Sequence, residues 1–538
     1  MFTNPNPSPE VLKRRFGFVS MLGMSTTLML TWEGILLYFS SGLLNGGPSG
    51  LLYSYLLSWA GVLSVMSCLA ELSSLAPCAS GQYHWVYLLS PDPLARLSSY
   101  VVGWLSVAVW QGVVTMTGYL CGTLIQGLIV LHTLNPSSVA NGGTNENIAA
   151  SRYTPQGYQA TLLLWSAILL ALLTNTLLSS HLPKIEGFIL YIHLLGFFSI
   201  LIPLLYLSDR VPPSAVFSTF TNGGEWPSTS VAFLVGMITN VGALLGSDGA
   251  VHMSEEIHSA ARVVPWNILL TLLINGSLGL GMLITVLFCL TEPEAALNSP
   301  TKYPFISIFQ SATKNTVGTT LMTSLILLLS FSALFGQFAS ASRQLWSFAR
   351  DAGVPFSHRL ARVSPSSLLP MNAILTTCTI PLLLGVIVSG SSVALLNLLS
   401  FVTSAWLLAA LIPLSLLLWR RTTGLISMPQ PVNHVSTSSP VTPPESPMLG
   451  EPLQKRHRVL EWGPWRIPEP LGTIVNVFGV CWSLVALCFS FWPPFAKPTV
   501  QTMNWSALMT GFWLIFGVGW FAIWGRRTYK GPVVEIRG

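Results

Sequence analysis

Three of the 19 acidic residues in this 538-residue chain fall within or at the ends of long apolar runs: Glu33, Glu71 and Asp248. A carboxylate surrounded by hydrocarbon is costly, and where it persists it commonly serves to hold a cation or a proton. Asp248 stands in Gly246-Ser247-Asp248-Gly249, interrupting an apolar segment that begins near Val231. Glycine on both sides weakens a helix and frees backbone groups to face a cavity, so the stretch reads as a broken membrane helix at a transport site. Its plainer reading is a helix that ends early, with Asp248 at a wet interface. Glu33, in Thr31-Trp32-Glu33-Gly34, sits in mid-run; it either lines a cavity or is a neutral acid hydrogen-bonded to a neighbouring helix. Glu71, in Ala70-Glu71-Leu72, is either an interfacial residue or a gating or coupling group. His193, set among Leu and Phe, titrates near neutral pH when unperturbed and is a second candidate for carrying a coupling proton, beside the alternative of simple packing.

The elements that must position these residues follow from composition. Apolar residues make up 51% of the chain and charged residues only 8%, far below the roughly 25% charged of a soluble domain. Twelve apolar runs are long enough to span a bilayer, which takes about 20 helical residues. They are centred on 17–43, 49–76, 98–131, 159–180, 186–208, 229–252, 264–290, 317–342, 370–390, 392–419, 471–492 and 505–525. The predicted fold is therefore an all-α integral membrane protein with both termini on one side. All of the 25 basic residues but Arg152, Arg210, Lys302, Lys314 and Lys497 fall on the side of the N-terminal tail. Basic residues mark the cytoplasmic side, so both termini are expected in the cytoplasm. The net charge of +6 is then a matter of topology, and no nucleic acid partner is implied.

Residues 1–15 form a polar tail without a cleavable signal, and 526–538 a second tail. Residues 132–158 and 291–316 are long outer loops, the second containing Tyr303 to Phe309, amphipathic enough for a short helix at the outer mouth. The inner connection 422–470 is rich in Ser, Thr and Pro and is expected to be mostly disordered. Asn504-Trp505-Ser506 fits a glycosylation acceptor on the outer side. The seven cysteines show no paired spacing, and the nine histidines no metal-ligand spacing such as HExxH. No metal, cofactor or enzymatic constellation is expected.

Two runs, the first and the sixth, carry a mid-membrane acid beside glycine. Paired breaks of this kind suit two inverted five-helix repeats with the solute between them, here 16–208 and 229–419, followed by two further helices over 471–525. Read together, Gly46-Gly47-Pro48, Ala70-Glu71-Leu72, Ser80-Gly81-Gln82-Tyr83-His84-Trp85 and Ser99-Tyr100-Val101-Val102-Gly103-Trp104 resemble the fungal amino acid, choline and GABA permeases of the amino acid-polyamine-organocation (APC) superfamily. The resemblance continues in Gly246 to Gly249 with His252 and Glu255-Glu256, in Ala341-Ser342-Arg343, in Phe348 to Phe356 and in Pro370-Met371-Asn372-Ala373. It implies a leucine-transporter type of fold and a solute site at the unwound middles of helices one and six. Carried over, the site is Thr31, Trp32, Glu33 and Gly34 with Gly246, Ser247, Asp248 and Gly249. Trp110 and Gln111 of helix three and Phe331 and Phe335 of helix eight would close its sides. Many relatives have a glycine-rich break in helix one, whereas this chain has Thr-Trp-Glu-Gly, a departure that sets a standard α-amino acid pose in question.

The expected pocket favours positive charge: Glu33 and Asp248 are anionic, Trp32 and Trp110 offer ring faces to an ammonium, and no Lys or Arg lies in the interior. GABA, choline, a basic amino acid and a polyamine all fit that description. The expected function is uptake of a small amino-bearing solute by proton symport at the plasma membrane, with an organellar membrane as the other location. An organocation exchanger and a non-transporting nutrient sensor on the same fold are the alternatives. Gln82 to Trp85, His252, Glu255 and Arg343 to Asp351 read as an inner gate held by polar contacts.

Overall fold

The computed structural model describes residues 12, 14–134, 153–388, 394–428 and 459–533. Ten helical segments among them are long and apolar enough to cross a membrane, and two shorter apolar helices accompany them. The expected disorder of the inner connection and most of the first outer loop lie outside the described residues.

The first span is two helices, α1 (Phe18–Met29) and α2 (Thr31–Leu44), hinged at Leu30, whose backbone is left-handed at φ 51°. Then come α3 (Gly47–Leu75), the short α4 (Gln82–Leu89) and the 42-residue α5 (Asp92–Thr133). Next follow α6 (Gly157–Thr176), α7 (Leu182–Leu207) and the 15-residue α8 (Thr229–Ala243). Beyond a second break lies a single turn, α9 (Gly249–His252), and then α10 (Ala260–Phe288). The outer-mouth helix expected around Tyr303 is α11 (Pro304–Thr313). The chain continues through α12 (Thr316–Arg350), α13 (Met371–Val388), α14 (Ala394–Thr422), α15 (Leu471–Ser490) and α16 (Ser506–Trp520).

Burial separates the helices into an inner and an outer set. α1, α2, α3, α5 and α14 are mostly enclosed, with α5 packed on α12 and α14, α1 on α7, and α3 on α10. The outward faces of α6, α7, α12, α15 and α16 instead expose Leu169, Leu195, Leu321, Ile474 and Ile515. A continuous exposed surface of this kind is at rest only against hydrocarbon. Phe16 and Val533, near the two ends of the described residues, lie on one face: Phe16 pairs with Ile257, and the Val533 N–H donates to Asp351, beside the Arg350–Glu255 ion pair.

Two local differences from the expected layout have physical reasons. The segment 422–470 is anchored at both ends, because β1 (Ile426–Ser427) pairs in parallel with β2 (Leu460–Glu461). The returning chain then donates from Trp465 N–H to the Ser74 hydroxyl and from Ile467 N–H to Glu71. Asn504 is buried, and its Nδ2 donates to the Ser490 and Trp492 carbonyls while its Oδ1 accepts from Ser506 N–H. The side chain expected as a glycan acceptor is thus engaged with three backbone groups just ahead of α16.

The second break turns on Gly246, at φ 118°, where an added Cβ would meet Leu28 Cδ2 at 3.1 Å and Met29 Cα at 3.4 Å. The two breaks thus touch each other. Gly246→Ala is expected to destabilise the purified protein by about 1–3 kcal/mol, read as a lower melting temperature. Gly519→Ala, at a position with no atom within 4 Å of the new Cβ, serves as the neutral control; equal melting of the two variants would show the break to be unconstrained.

Candidate functional site

A backbone that leaves the helix inside hydrocarbon must find partners for its polar groups. On the α1 side, the carbonyls of the last turn are met by side-chain amides: Asn275 Nδ2 of α10 donates to Thr26 O at 2.7 Å, and Gln337 Nε2 of α12 donates to Leu28 O at 2.9 Å. On the other side of the hinge, no side chain among the described residues caps the first turn of α2. Leu28 to Leu30 and Gly34, on either side of the hinge, border one cavity together with the residues of the second break.

That cavity is lined by Leu28 to Leu30, Gly34 and Tyr38 of the first span and by Trp110 and Met116 of α5. Leu245, Gly246 and Asp248 close it at the second break, Gln337 at α12, and Thr403 and Trp406 at α14. Neither lysine nor arginine is among its lining residues. Asp248 is 1% exposed; its Oδ2 accepts from Gln82 Nε2 at 2.8 Å and from Trp406 Nε1 at 3.0 Å. Its Oδ1 has no hydrogen-bond partner among the described residues. Two donors therefore fix the carboxylate, and its second oxygen is left for something else. Leu399 of the lining also borders a second cavity, which runs past Ser41, Asn45, Asn397 and Trp492 on the face opposite the termini.

Of the twelve residues singled out for solute contact, the structure brings Gly34, Trp110, Gly246 and Asp248 to this lining. The others surround it. Trp32 turns to α7, its ring 5.7 Å from His193 and 6.0 Å from Phe197. Glu33 Oε1 lies 2.9 Å from His193 Nδ1, away from the cavity. Thr31 faces α10 at Gly279, Gln111 donates to Thr377 of α13 at 3.1 Å, and Ser247 is buried. The Gly249 carbonyl accepts from Ser340, and Phe331 and Phe335 pack against each other on α12. Trp406, Tyr38 and Gln337 had no marked signal in the sequence, and Gln82, expected at the inner gate, instead donates to Asp248. Gln82 was visible as the polar member of an otherwise aromatic segment, but nothing in the sequence aims it at Asp248.

Besides His193, which contacts Glu33, the residues expected to gate or couple fall into three clusters. His252 Nδ1 contacts the Ala79 carbonyl at 2.8 Å, and its ring meets Trp110 edge-on at 5.2 Å, directly beneath the cavity. Glu71 is ion-paired with Arg421 of α14, which also holds Glu469 and stacks on Trp462. This buried anchor ties α3 to the returning chain. On the face of the termini, Arg343 pairs with Glu256 at 2.8 Å and Arg350 with Glu255 at 2.9 Å. Tyr83 donates to Asp351 at 2.7 Å, and the Phe16 and Arg15 N–H groups donate to the Glu256 carbonyl. Burial pushes Asp351 up to about 6, against the pull of Arg350, the Val533 N–H and Tyr83. Burial, aided by Arg350, lowers His84 to about 4. Glu186, buried on α7 and accepting from the Thr27 hydroxyl at 3.1 Å, is a further enclosed acid that the sequence reading did not isolate.

Helices that expose hydrocarbon outward and enclose an acid-bearing cavity at two facing backbone breaks define a multi-pass membrane transporter. The chain belongs to the amino acid permease family, whose model matches residues 16–515. A Macrophomina phaseolina protein named as a putative amino acid/polyamine transporter is 27% identical over 405 residues, covering 75% of this chain and 85% of its own length. The choline transporter of Saccharomyces cerevisiae is 26% identical over 520 residues, covering 96% of this chain and 83% of its own. Amino-acid permease 2 of Neurospora crassa is 22% identical over 519 residues, covering 96% and 84%. These are permeases, not enzymes.

The raised Asp351 gives a signed pH dependence. The folded protein binds this proton more tightly than the unfolded chain, so neutral Asp351 contributes stability in full below about 4, and the contribution is lost as pH rises through about 6. Relative to Asp351→Asn, the wild type is expected to lose on the order of 3 kcal/mol across that window, measured as the difference in melting curves in detergent. Parallel curves would mean that Asp351 does not titrate there.

Proposed function

We propose that this permease imports a small amino-bearing cation or zwitterion by proton symport, through alternating access to the cavity between the two breaks. The observation that carries the reading is Asp248: a buried acid with one oxygen fixed by two donors, the other unpartnered, in a cavity without a basic residue. Such a carboxylate is a counter-ion for an ammonium. Trp110, Trp406 and Tyr38 add ring surface for its apolar body. The uncapped N–H groups at the start of α2 can take a carboxylate where the solute has one. The names of the relatives, choline on one side and amino acids or polyamines on the others, span the same chemistry.

The architecture proposed for this activity is twelve spans in two inverted halves, 16–208 and 229–419, with α15 and α16 added. The ten long and two shorter apolar helices are in keeping with that count, and the breaks at Leu30 and Gly246 occupy the first span of each half. The polar cluster of Tyr83, Glu255, Glu256, Arg343, Arg350 and Asp351 is assigned to the inner gate, with the termini in the cytoplasm and the plasma membrane as the site of action. Thr31, Trp32, Gln111, Ser247, Gly249, Phe331 and Phe335 form the supporting shell of the pocket, and Glu71 an anchor beside the gate.

The test is uptake of labelled choline, GABA, putrescine, arginine and alanine by cells lacking their own permeases, at two external pH values. Uptake of one solute, rising at acid pH, is the expected result. Asp248→Asn is expected to lower it by roughly a hundredfold at unchanged surface delivery, the order of loss for removing a buried charge partner. Unaltered kinetics in that variant would take Asp248 out of the pocket.

A further inference from the structure

The contacts of Glu33, His193 and Asn275 allow their protons to be counted. All three side chains are fully buried. Asn275 Nδ2 donates to the Thr26 carbonyl at 2.7 Å, an oxygen that can only accept, so Asn275 presents Oδ1 to His193 Nε2 at 3.1 Å. That oxygen also only accepts, which places a hydrogen on Nε2. The 2.9 Å contact from His193 Nδ1 to Glu33 Oε1 then needs one proton of its own. It is either the N–H of an imidazolium against a carboxylate or the O–H of a neutral acid against a neutral imidazole. Either way the pair is net neutral and holds one proton more than its deprotonated form.

We propose that this shared proton is the coupling proton, held at a Glu33–His193 site on α2 and α7 that is separate from the solute cavity. The inference rests on the reading of the protein as a proton symporter. Loss of the proton to water would set the Nδ1 lone pair against a carboxylate oxygen inside the membrane, so deprotonation requires the two side chains to part. Parting moves α2 away from α7. Gly34, Leu37 and Tyr38 of the same α2 line the solute cavity, so the movement reaches the solute without any shared ligand. Asn275 adds the other half of the broken span, since its amide bonds the last turn of α1 while its oxygen bonds His193. With the proton bound, α1, α2, α7 and α10 are joined by one hydrogen-bonded chain.

The other titratable side chains near this chain are committed elsewhere. Tyr55 of α3 donates to the Gly276 carbonyl at 2.9 Å, and Glu186, seven residues before His193 on α7, accepts from Thr27. Tyr38 of α2 points into the cavity, and Tyr191 and Tyr206 of α7 are exposed. Lys184 and Arg262 stand at the starts of α7 and α10, and Arg343 and Arg350 at the end of α12 are paired with Glu256 and Glu255. No cation among them neutralises Glu33 in place of His193.

The experiment uses the full-length protein in liposomes, with the member of the five-solute panel that the wild type takes up. Two readouts are compared: uptake driven by an inward proton gradient, and counterflow of labelled against unlabelled solute without a gradient. In Glu33→Gln and in His193→Gln, gradient-driven stimulation is expected to fall at least roughly tenfold, within the range of ordinary coupling energies, with counterflow within about twofold of wild type. Counterflow itself reports a folded protein. Full gradient stimulation in both variants would overturn the assignment, and so would loss of counterflow in Glu33→Gln protein that still melts cooperatively, because that places Glu33 at the solute. Wild-type counterflow without gradient stimulation, or no transport of any panel solute, would instead sink the symport reading beneath it.

Discussion

Everything at the centre of this protein depends on satisfying a backbone that stops being helical where no water can reach it. Two such interruptions are brought face to face, at Leu30 and at Gly246. The carbonyls freed by the first are met by Asn275 and Gln337, amides that other helices supply. The second relieves its crowding with a glycine against Leu28 and Met29. Each break is tolerable only in the presence of the rest of the bundle, because the first finds its partners on α10 and α12 and the second packs against α1. The cavity is what remains between them.

Charge is handled by the same rule. Asp248 is fixed by Gln82 and Trp406 from two further helices, Glu33 by His193, and Glu71 by Arg421. A buried ion pair contributes little net stability, but losing one partner is severe. Such pairs therefore lock particular helices together, α2 to α7 and α3 to α14. The three acids that stood out in the sequence thus sit in three different settings: one at the cavity between the breaks, one against His193 of α7, and one in an ion pair with Arg421 of α14.

The face carrying both termini repeats the arrangement on a larger scale. Arg343–Glu256 and Arg350–Glu255 tie α12 to the stretch after the second break, Tyr83 and Asp351 tie it to α4, and the N-terminal segment pairs with Ile257. This layer seals the bundle on one side. A cavity bordered by Asn45, Asn397 and Trp492 lies on the other side.

The sequence by itself determined the class of protein, the approximate spans, both broken segments and the placing of Glu33, Glu71 and Asp248 within or at the ends of apolar runs. These are local properties: twenty apolar residues in a row, or an acid beside glycine, carry their meaning without knowledge of neighbours. It also marked the outer-mouth helix at Pro304, where an amphipathic repeat is written into ten residues. Only the tertiary structure decided which way each side chain turns. Glu33 and Gly34 are adjacent in sequence, yet one faces α7 and the other the cavity. The same holds for Asn504, whose acceptor triplet is intact while its amide is spent on two carbonyls. A helix presents a new direction every 100° or so, and in a chain apolar on nearly every side no polar stripe tells which direction is inward. Contacts between residues 160 or more positions apart, such as Glu33 with His193 and Gln82 with Asp248, are set by packing of whole helices, and that information is not local.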